Sequence, residues 1–343
     1  MIKSLIIIQE SGECKMQQIK WGILSSAAIA RKQMVPAIKE AGNAVLYAVA
    51  SSSGRAEETA AEWGAEKAYD SYEGLLKDPN VDAVYIPLPN ALHKEWVIKS
   101  MNHGKHVLVE KPAAVTSDEI REIREAGRSS GMTWMEGFMY QFHPQHDYVK
   151  ELLAENAVGK VKRIRSSFSF PLDLGSKNIR LSSALGGGSL FDVGCYCVHA
   201  CRYLLDQEPT SAFSDARKIK NIDVDISTTA ILSFEDVDCI IDCSFDEAAL
   251  NRYEIAGTKG RIEVPFAFRP DQNPNGGKGE VILKDEKGAV KEHRTFEGNQ
   301  FTRQITHFSQ CLLDGTKPVY TPESTHNNMK VIEALYTSQN QTR

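Results

Sequence analysis

The stretch Gly104-Lys105-His106-Val107-Leu108-Val109-Glu110-Lys111-Pro112 decides the fold of this chain. His106–Val109 is short, apolar and rich in β-branched residues, which predicts a buried central strand. An acid, a base and a proline follow the strand at once. Because ligands bind outside the carboxyl ends of the strands in open α/β sheets, we expect Glu110 and Lys111 at a binding site. Taken alone, the stretch also fits a surface ion pair before a turn proline.

Strands and helices alternate on both sides of this stretch. The predicted strands are Ile19–Leu24, Val45–Ala50, Lys67–Tyr69, Val81–Pro87, His106–Val109 and Met132–Met135. The predicted helices run from the Ser25–Ala30 turn to about Ala41 and then over Gly54–Trp63, Tyr72–Lys77, Ala91–His103 and Ser117–Ser130. This rhythm with short connections predicts a doubly wound parallel sheet, a Rossmann dinucleotide-binding domain over residues 16–136.

The rhythm changes at about Gly137, where strands begin to follow one another directly. They are Val161–Phe170, Thr228–Phe234, Asp238–Phe245, Asn251–Ala256, Gly260–Val264 and Glu280–Leu283, with helices at Gln145–Glu155, Phe301–Leu313 and Thr325–Ser338. This pattern predicts an α+β domain over residues 137–343 with a large, mostly antiparallel open sheet. We interpret Met16 as the natural start and Met1–Lys15 as an extension, the alternatives being an extra strand or a frayed terminus.

Composition and charge exclude several classes of protein. The 343 residues suggest two domains, and 42% apolar with 25% charged residues is ordinary for a soluble globular protein. A net charge of −5 argues against nucleic acid or an anionic membrane surface as the main partner. No apolar run approaches the roughly 20 residues that span a bilayer. The seven cysteines, without C-x-x-C spacing, predict reduced thiols and no metal site in a cytoplasmic protein.

The turn Ser25–Ala30 stands where a dinucleotide-binding domain carries G-x-G-x-x-G, with all three glycines replaced. Replacing the third glycine by alanine is a small change, because that glycine serves close helix–strand packing. The first two glycines serve the tight turn and the approach of the pyrophosphate, so their replacement is a larger departure. Small residues still leave room for a phosphate at the helix N-terminus, and serine hydroxyls add donors. We therefore predict cofactor contacts at Ser25, Ser26, Ala27 and Ile29.

The end of the second strand indicates the choice of cofactor. It reads Ala50-Ser51-Ser52-Ser53-Gly54-Arg55, without the acid that would hold the ribose 2′-hydroxyl of NAD. An arginine beside hydroxyls suits a phosphate instead. We therefore predict NADP(H) in preference to NAD(H), with contacts from Ser51, Ser52 and Arg55. The alternative is a serine-rich loop with Arg55 in solvent.

The loop Leu88-Pro89-Asn90 leaves the next strand with a proline that ends the sheet ladder. We predict that Asn90 caps the following helix, which carries His93. By position this loop faces the cofactor, so Leu88, Pro89, Asn90 and His93 join Glu110 and Lys111 as predicted cofactor contacts. The alternative for His93 is a surface histidine.

A second informative stretch, Gly186–His199, runs from three glycines into a predicted helix. Asp192 and Tyr196 are four residues apart on it and therefore share one face. Tyrosine has an ordinary pKa of about 10, so proton donation near neutral pH needs a neighbouring cation, a role we assign to Lys111. Asp192 would orient the substrate hydroxyl or the tyrosine. The alternative is a surface pair or a core tyrosine whose hydroxyl is already bonded.

Five motifs together resemble the glucose–fructose oxidoreductase/inositol dehydrogenase (Gfo/Idh/MocA) family from Met16 onward. They are Trp21-Gly22-Ile23-Leu24-Ser25, Ile86-Pro87-Leu88-Pro89-Asn90, Glu110-Lys111-Pro112, Met135-Glu136-Gly137-Phe138-Met139-Tyr140 and Asp192-Val193-Gly194-Cys195-Tyr196. The chain is most similar to the branch with dimeric dihydrodiol dehydrogenase and NADP-dependent D-xylose dehydrogenase. The resemblance implies that Lys111 contacts the nicotinamide ribose and the substrate, and that Tyr196 is the acid/base.

The chain departs from the pattern of this branch at one position. Gln141 stands where this branch often has arginine, which leaves any family substrate contact there open. Tyr196 takes a position where many relatives have histidine. We assign catalysis to Lys111, Asp192 and Tyr196, and substrate binding to these three and Arg180.

The sequence thus predicts an NADP(H)-dependent oxidoreductase, with NAD(H) as the other possible cofactor. It would transfer hydride between nicotinamide and a CH–OH or C=O group of a sugar, polyol or cyclic diol. The rivals are a cofactor-binding regulator without chemistry and a glycosidase that uses bound nicotinamide transiently. The resemblance also implies a homodimer or homotetramer that pairs through the open face of the second sheet.

Overall fold

A computed structural model describes residues 17–339, so the expectations for Met1–Lys15 lie outside the described residues. The first sheet consists of β1 (Ile19–Leu24), β2 (Ala44–Ala50), β3 (Lys67–Tyr69), β4 (Ala83–Ile86), β5 (His106–Val109) and β6 (Trp134–Glu136). Its strands are all parallel, in the order β3-β2-β1-β4-β5-β6. The order reverses between β1 and β4, which confirms the predicted doubly wound sheet.

Helices connect these parallel strands. They are α1 (Val35–Glu40), which continues a π-helical turn, α2 (Ala56–Trp63), α3 (Tyr72–Leu76), α4 (Asn90–Asn102) and α5 (Ser117–Ser130). Two side chains cap the start of α5: the Thr116 hydroxyl accepts from the Glu119 amide, and Glu119 Oε2 accepts from the Val115 amide. The predicted strand β5 lies at the centre of the hydrophobic core, with Val107, Leu108 and Val109 fully buried.

The second sheet has eight strands and is antiparallel apart from the parallel pair β7 and β10. Its strands are β7 (Val161–Ser169), β8 (Ser211–Lys218), β9 (Asp225–Ser233), β10 (Asp238–Ser244), β11 (Leu250–Gly257), β12 (Gly260–Val264), β13 (Gly279–Asp285) and β14 (Val290–Phe296). The mostly antiparallel sheet is confirmed. The sequence prediction missed β8 and β14, the two edge strands. No residue of β14 is buried, so it lacks the apolar alternation that marks a strand.

Helices α6 (Pro144–Ala154), α7 (Cys195–Leu205), α8 (Gln300–Asp314) and α9 (Pro322–Gln339) complete the described chain. α7 packs on β7 and β10, whereas α8 packs on α1 and β1 of the first sheet. There, Trp21 Nε1 donates to Ser309 Oγ at 3.1 Å. Within residues 17–339, no helix combines the length and apolar character that crossing a membrane requires.

The helix predicted through Asp192 and Tyr196 is not a single α-helix. A π-helical turn, Leu190–Gly194, carries Asp192 and leads into α7, whose second residue is Tyr196. The wider turn changes the angle between the two side chains, and both still face the same cleft.

Candidate active site

A cleft of about 520 Å³ lies at the carboxyl ends of β1, β4 and β5, against the start of α7. This is the point where the strand order of the first sheet reverses, the usual ligand position in such sheets. Both halves of the chain line it, with Ala27, Ile29, Leu88, Asn90, Glu110, Lys111, Phe168, Arg180, Asp192, Tyr196, Asn251 and Arg269 among the lining residues. The two motif stretches of the sequence therefore meet in one cavity.

Lys111 connects the strand end to the helix of the second half. Its Nζ donates to the Asp192 carbonyl oxygen at 2.6 Å and lies 3.1 Å from Asp192 Oδ1. The same atom lies 5.1 Å from the centre of the Tyr196 ring. Burial alone would lower the pKa of Lys111, but the negative charge of Asp192 raises it above its ordinary value. The ammonium therefore stays charged beside the tyrosine.

Asp192 lies between two cations. Its Oδ2 accepts from Arg180 Nε at 2.6 Å, while its Oδ1 faces Lys111. Burial favours the neutral carboxyl, yet Lys111 and Arg180 hold the pKa of Asp192 below its ordinary value. Asp192 is therefore an ionised carboxylate, and the structure places the predicted residue Arg180 directly against it.

Tyr196 is almost completely buried, with 5% of its surface exposed. Its hydroxyl donates to Met139 Sδ at 3.4 Å. Burial raises the pKa of Tyr196 above its ordinary value, and the Lys111 ammonium is the main opposing influence. The Tyr196 hydroxyl is therefore protonated at neutral pH and donates its hydrogen bond to a weak acceptor, the Met139 sulfur.

Two further polar residues of the cleft region were not predicted from the sequence. Tyr85 Oη donates to Glu110 Oε1 at 2.6 Å, and burial raises the pKa of Glu110. Arg269 forms a bidentate pair with Asp271, with Nε–Oδ1 at 2.8 Å and Nη2–Oδ2 at 2.6 Å. Arg269 follows β12 in an irregular segment, so no periodic pattern marks it, whereas Tyr85 is part of the predicted strand β4.

The turn after β1 has the backbone shape that a glycine would supply. Ser25 adopts φ of 124°, in the region that favours glycine. Its Oγ accepts from the Ala27 amide at 3.0 Å, which closes the turn. Ala27 and Ile29 line the cleft, whereas Ser25 and Ser26 precede them in the turn and are not among the lining residues. The replaced glycines thus leave a tight turn with small side chains at the cleft, a shape that fits a dinucleotide.

The end of β2 presents hydroxyls and one free cation. Ser51 is buried, with Oγ 2.9 Å from Ser53 Oγ, while Ser52 and Arg55 are exposed. The Arg55 guanidinium has no ion pair or hydrogen bond with any other residue of the described chain. Such a group can bind a phosphate without first breaking a protein contact.

Two predictions about the β4–α4 loop need correction. His93 is fully buried and does not line the cleft: its Nδ1 lies 2.8 Å from the Pro112 oxygen and its Nε2 lies 2.8 Å from the Leu88 oxygen. It is therefore neither a surface residue nor a direct cofactor contact. Burial lowers the pKa of His93 to about 4, so the neutral ring donates to one carbonyl at a time. Asn90 does not cap α4; its amide donates to the Gly186 oxygen at 2.8 Å and joins the two halves of the chain.

A larger cavity, about 970 Å³, lies between α6, α7 and α8. Gln141 lines this second cavity and donates to the Phe138 oxygen at 3.0 Å. Because Gln141 does not line the cleft, it does not make the substrate contact that the sequence analysis left open. The cavity contains none of the motif residues Lys111, Asp192 and Tyr196. We therefore take the smaller cleft as the candidate active site.

The first sheet is parallel, and its cleft lies where the strand order reverses. A lysine, an aspartate and a tyrosine are buried in this cleft. Together these features define a nicotinamide-dependent oxidoreductase. Residues 19–138 match the family described as "Oxidoreductase family, NAD-binding Rossmann fold", and residues 146–263 match "GFO/IDH/MocA C-terminal domain". The chain belongs to the GFO/IDH/MocA oxidoreductase family, which confirms the resemblance drawn from the motifs.

Relatives extend over nearly the whole chain. D-xylose 1-dehydrogenase (NADP(+)) 2 of Haloferax volcanii is 34% identical over 93% of this chain and 96% of that protein. Trans-1,2-dihydrobenzene-1,2-diol dehydrogenase of Xenopus laevis is 32% identical over 87% of this chain and 90% of that protein. A 3-ketoreductase from Actinomadura kijaniata, solved with NADP and TDP-benzene, superposes with a TM-score of 0.85 at 30% identity, covering 94% of this chain and 98% of that one.

Proposed function

We propose that this protein is an NADP(H)-dependent oxidoreductase acting on a CH–OH or C=O group of a sugar, polyol or cyclic diol. The observation that carries the proposal is the contact of the Lys111 ammonium with Asp192 beside the buried Tyr196 ring in the cleft. The relatives named for D-xylose and dihydrobenzenediol support this class of substrate.

The chemistry follows from the charge states of these residues. When bound, the cofactor supplies or accepts the hydride. In carbonyl reduction, Tyr196 donates its hydroxyl proton to the substrate oxygen, and alcohol oxidation returns the proton to Tyr196. The thioether of Met139 is a weak acceptor, so the Tyr196 hydroxyl breaks this hydrogen bond easily when the substrate binds. Lys111 stabilises the tyrosinate, and Asp192 orients the substrate hydroxyl.

The choice of NADP(H) rests on the end of β2. Arg55 is exposed and unpaired within the described chain, and no acid occupies Ser51–Arg55. Ser51 and Ser52 add hydroxyls beside it. These features suit a ribose 2′-phosphate better than a free 2′-hydroxyl. The relative named for NADP(+) supports the same choice.

The charges of the cleft favour an uncharged substrate. Its described lining contains the cations Lys111, Arg180 and Arg269, and each already contacts a carboxylate, either Asp192 or Asp271. A nucleotide-linked sugar brings a diphosphate that would have to compete with these carboxylates. We therefore place free sugars, polyols and diols ahead of nucleotide-linked sugars.

A substrate screen tests the proposal. Aldoses, inositols, cyclic diols and a dTDP-sugar are offered with NADP(H) and with NAD(H), and the change in nicotinamide absorbance is followed. Net turnover with NADP(H) on an uncharged compound is the expected result. Release of the sugar from an added aryl glycoside without net change in nicotinamide would indicate the rival glycosidase, and cofactor binding without any turnover would indicate the rival regulator.

We further propose the division into a cofactor domain, 16–136, and a substrate and oligomerisation domain, 137–343. α8 is the exception, since it completes the helical layer of the first sheet. We also propose a homodimer or homotetramer and a cytoplasmic location. The free, buried cysteines Cys195, Cys197, Cys201, Cys239, Cys243 and Cys311 support a reducing compartment.

A further inference from the structure

The segment just after Lys111 is held by a buried carboxyl group outside the cleft. Glu136 is only 2% exposed, and its Oε1 accepts a hydrogen bond from the Ala113 amide at 2.9 Å. Ala113 is fully buried two residues beyond Lys111. His93 approaches the adjacent carbonyl, that of Pro112, from α4. Side chains from two elements therefore fix the turn that follows the catalytic lysine.

Glu136 has a rigid base for this task. It is the last residue of β6 and pairs in the sheet with Val109, the last residue of β5. The Gly137 amide donates to the Val109 oxygen at 2.8 Å immediately beyond it. Because β5 also leads into Lys111, the sheet register sets the distance between the Glu136 carboxyl and the Lys111 turn.

Burying a carboxyl group at this position costs free energy. Glu136 Oε2, Tyr320 Oη and Thr325 Oγ1 are all buried, and none of them makes a hydrogen bond of ordinary length and angle within residues 17–339, although both hydroxyls lower the pKa of the carboxyl group. Burial raises the pKa of Glu136 to about 7, although the Ala113 amide opposes this shift. An apolar side chain would fill the same space without that cost. The hydrogen bond of this carboxyl group with ordinary geometry goes to the Ala113 amide, and Thr325, Tyr320 and Arg202 act on the carboxyl group more weakly.

We propose that Glu136 is a positioning residue, whose bond to the Ala113 amide holds the Lys111 ammonium against Asp192 and beside Tyr196. The inference rests on the role of Lys111 in the proposed function. Glu136 acts through the backbone, since it does not line the cleft.

Two substitutions separate the bond from the packing. Glu136→Gln keeps an acceptor oxygen for Ala113, and Glu136→Met keeps the length but removes the acceptor. We expect kcat to fall by roughly 10- to 100-fold in Glu136→Met, because a small misplacement of a catalytic group has effects of that order. Glu136→Gln should stay within about threefold of the parent. Thermal unfolding checks that both variants fold, and parental kcat in a folded Glu136→Met would overturn the inference.

The same substitution in a Lys111→Met background shows whether Glu136 acts through Lys111. If it does, Glu136→Met causes little further loss there, because the two residues act as one unit. An equal fold-loss in both backgrounds would mean a general structural role and would overturn the inference. Parental turnover in Lys111→Met alone would instead refute the role of Lys111 in the proposed function.

The Ala113 amide proton gives a readout that needs no turnover. In the cofactor-free parent its NMR signal should move with pH as the Glu136 carboxyl gains its proton, and this movement should vanish in Glu136→Gln. The measurement tests the bond on which the proposal depends even if Glu136→Met does not fold. An Ala113 signal that titrates unchanged in Glu136→Gln would show that the bond does not exist.

Discussion

At the scale of single residues, the first prediction concerns the hydroxyl of Tyr196. Tyr196→Phe keeps the ring contacts with Phe138 and Phe168, at centroid distances of 5.4 Å each, and removes only the bond to Met139. Hydride transfer in single-turnover experiments should fall by roughly 10²–10⁴, the range that general acid–base catalysis supplies. NADP(H) affinity should barely change.

Tyr140→Phe is the matched control for this experiment. It also removes a buried tyrosine hydroxyl, one bonded to His199 Nδ1 at 2.6 Å, but Tyr140 does not line the cleft. We expect parental turnover and a loss of about 1–3 kcal/mol in unfolding free energy, because the buried His199 Nδ1 loses its partner. Near-parental turnover in Tyr196→Phe would remove Tyr196 from the mechanism.

A second residue-scale prediction concerns pH. The Lys111 cation lowers the pKa of Tyr196 against the opposing effect of burial, so Lys111→Met should raise that pKa further. In carbonyl reduction the protonated tyrosine is the active form, and activity falls as the pH rises through its pKa. The basic limb of the pH–rate profile should therefore move to higher pH, at a lower maximal rate. A limb that stays in place would mean that Lys111 does not set the pKa of Tyr196.

Much of the site could be predicted because its residues stand at the ends of regular elements. Glu110 and Lys111 follow a strand, and Asp192 and Tyr196 lie at the start of a helix, so periodicity places them at the ends of elements. The resemblance to the family supplied the roles of Lys111 and Tyr196. His93 was misplaced because its burial depends on two loops that fold over it. Arg269 was not predicted, because its irregular segment has no sequence pattern that relates it to the cleft.

At the scale of elements, the glycine run before the π-helical turn is required by close packing. A Cβ on Gly187 would meet the backbone of Arg180 and Ile179. Gly187→Ala should therefore displace the segment that holds Arg180 against Asp192 and lower kcat/KM by roughly 10- to 100-fold.

Gly42→Ala is the control, since a Cβ there has no described atom within 4 Å. It should leave steady-state kinetics at the parental level. If Gly187→Ala also retained parental kcat/KM, the placement of Arg180 would not depend on this close contact.

The elements also show where sequence patterns stop being informative. β5, α5 and β12 were predicted with their observed bounds, because apolar residues and caps mark both ends. The prediction missed β8 and β14 because an edge strand exposes much of its length and reads as polar loop. The π-helical turn at Leu190–Gly194 was missed because one extra residue in a turn leaves helical spacing almost unchanged.

At the scale of the whole molecule, the outer face of the second sheet carries an apolar strip at one end. Phe213 and Ile231 are neighbours across β8 and β9, 49% and 44% exposed, and Ile240 lies opposite Ile231 on β10. The same row continues into Arg165, which pairs with Glu254 at 2.8 Å. Exposed apolar patches rimmed by polar residues often mark sites of protein–protein contact.

The last prediction is that two copies of the chain bury this strip against each other. Light scattering at micromolar concentration should give at least twice the 38.1 kDa chain mass. Ile231→Glu should convert the assembly to a monomer, because it puts an unpaired charge into the apolar row. Val319→Glu is the control: Val319 is 66% exposed on the α8–α9 connection, so its charge should leave the mass unchanged. A parent protein that scatters as a 38.1 kDa monomer would contradict pairing through this sheet, and a dimer that survives Ile231→Glu would move the interface elsewhere.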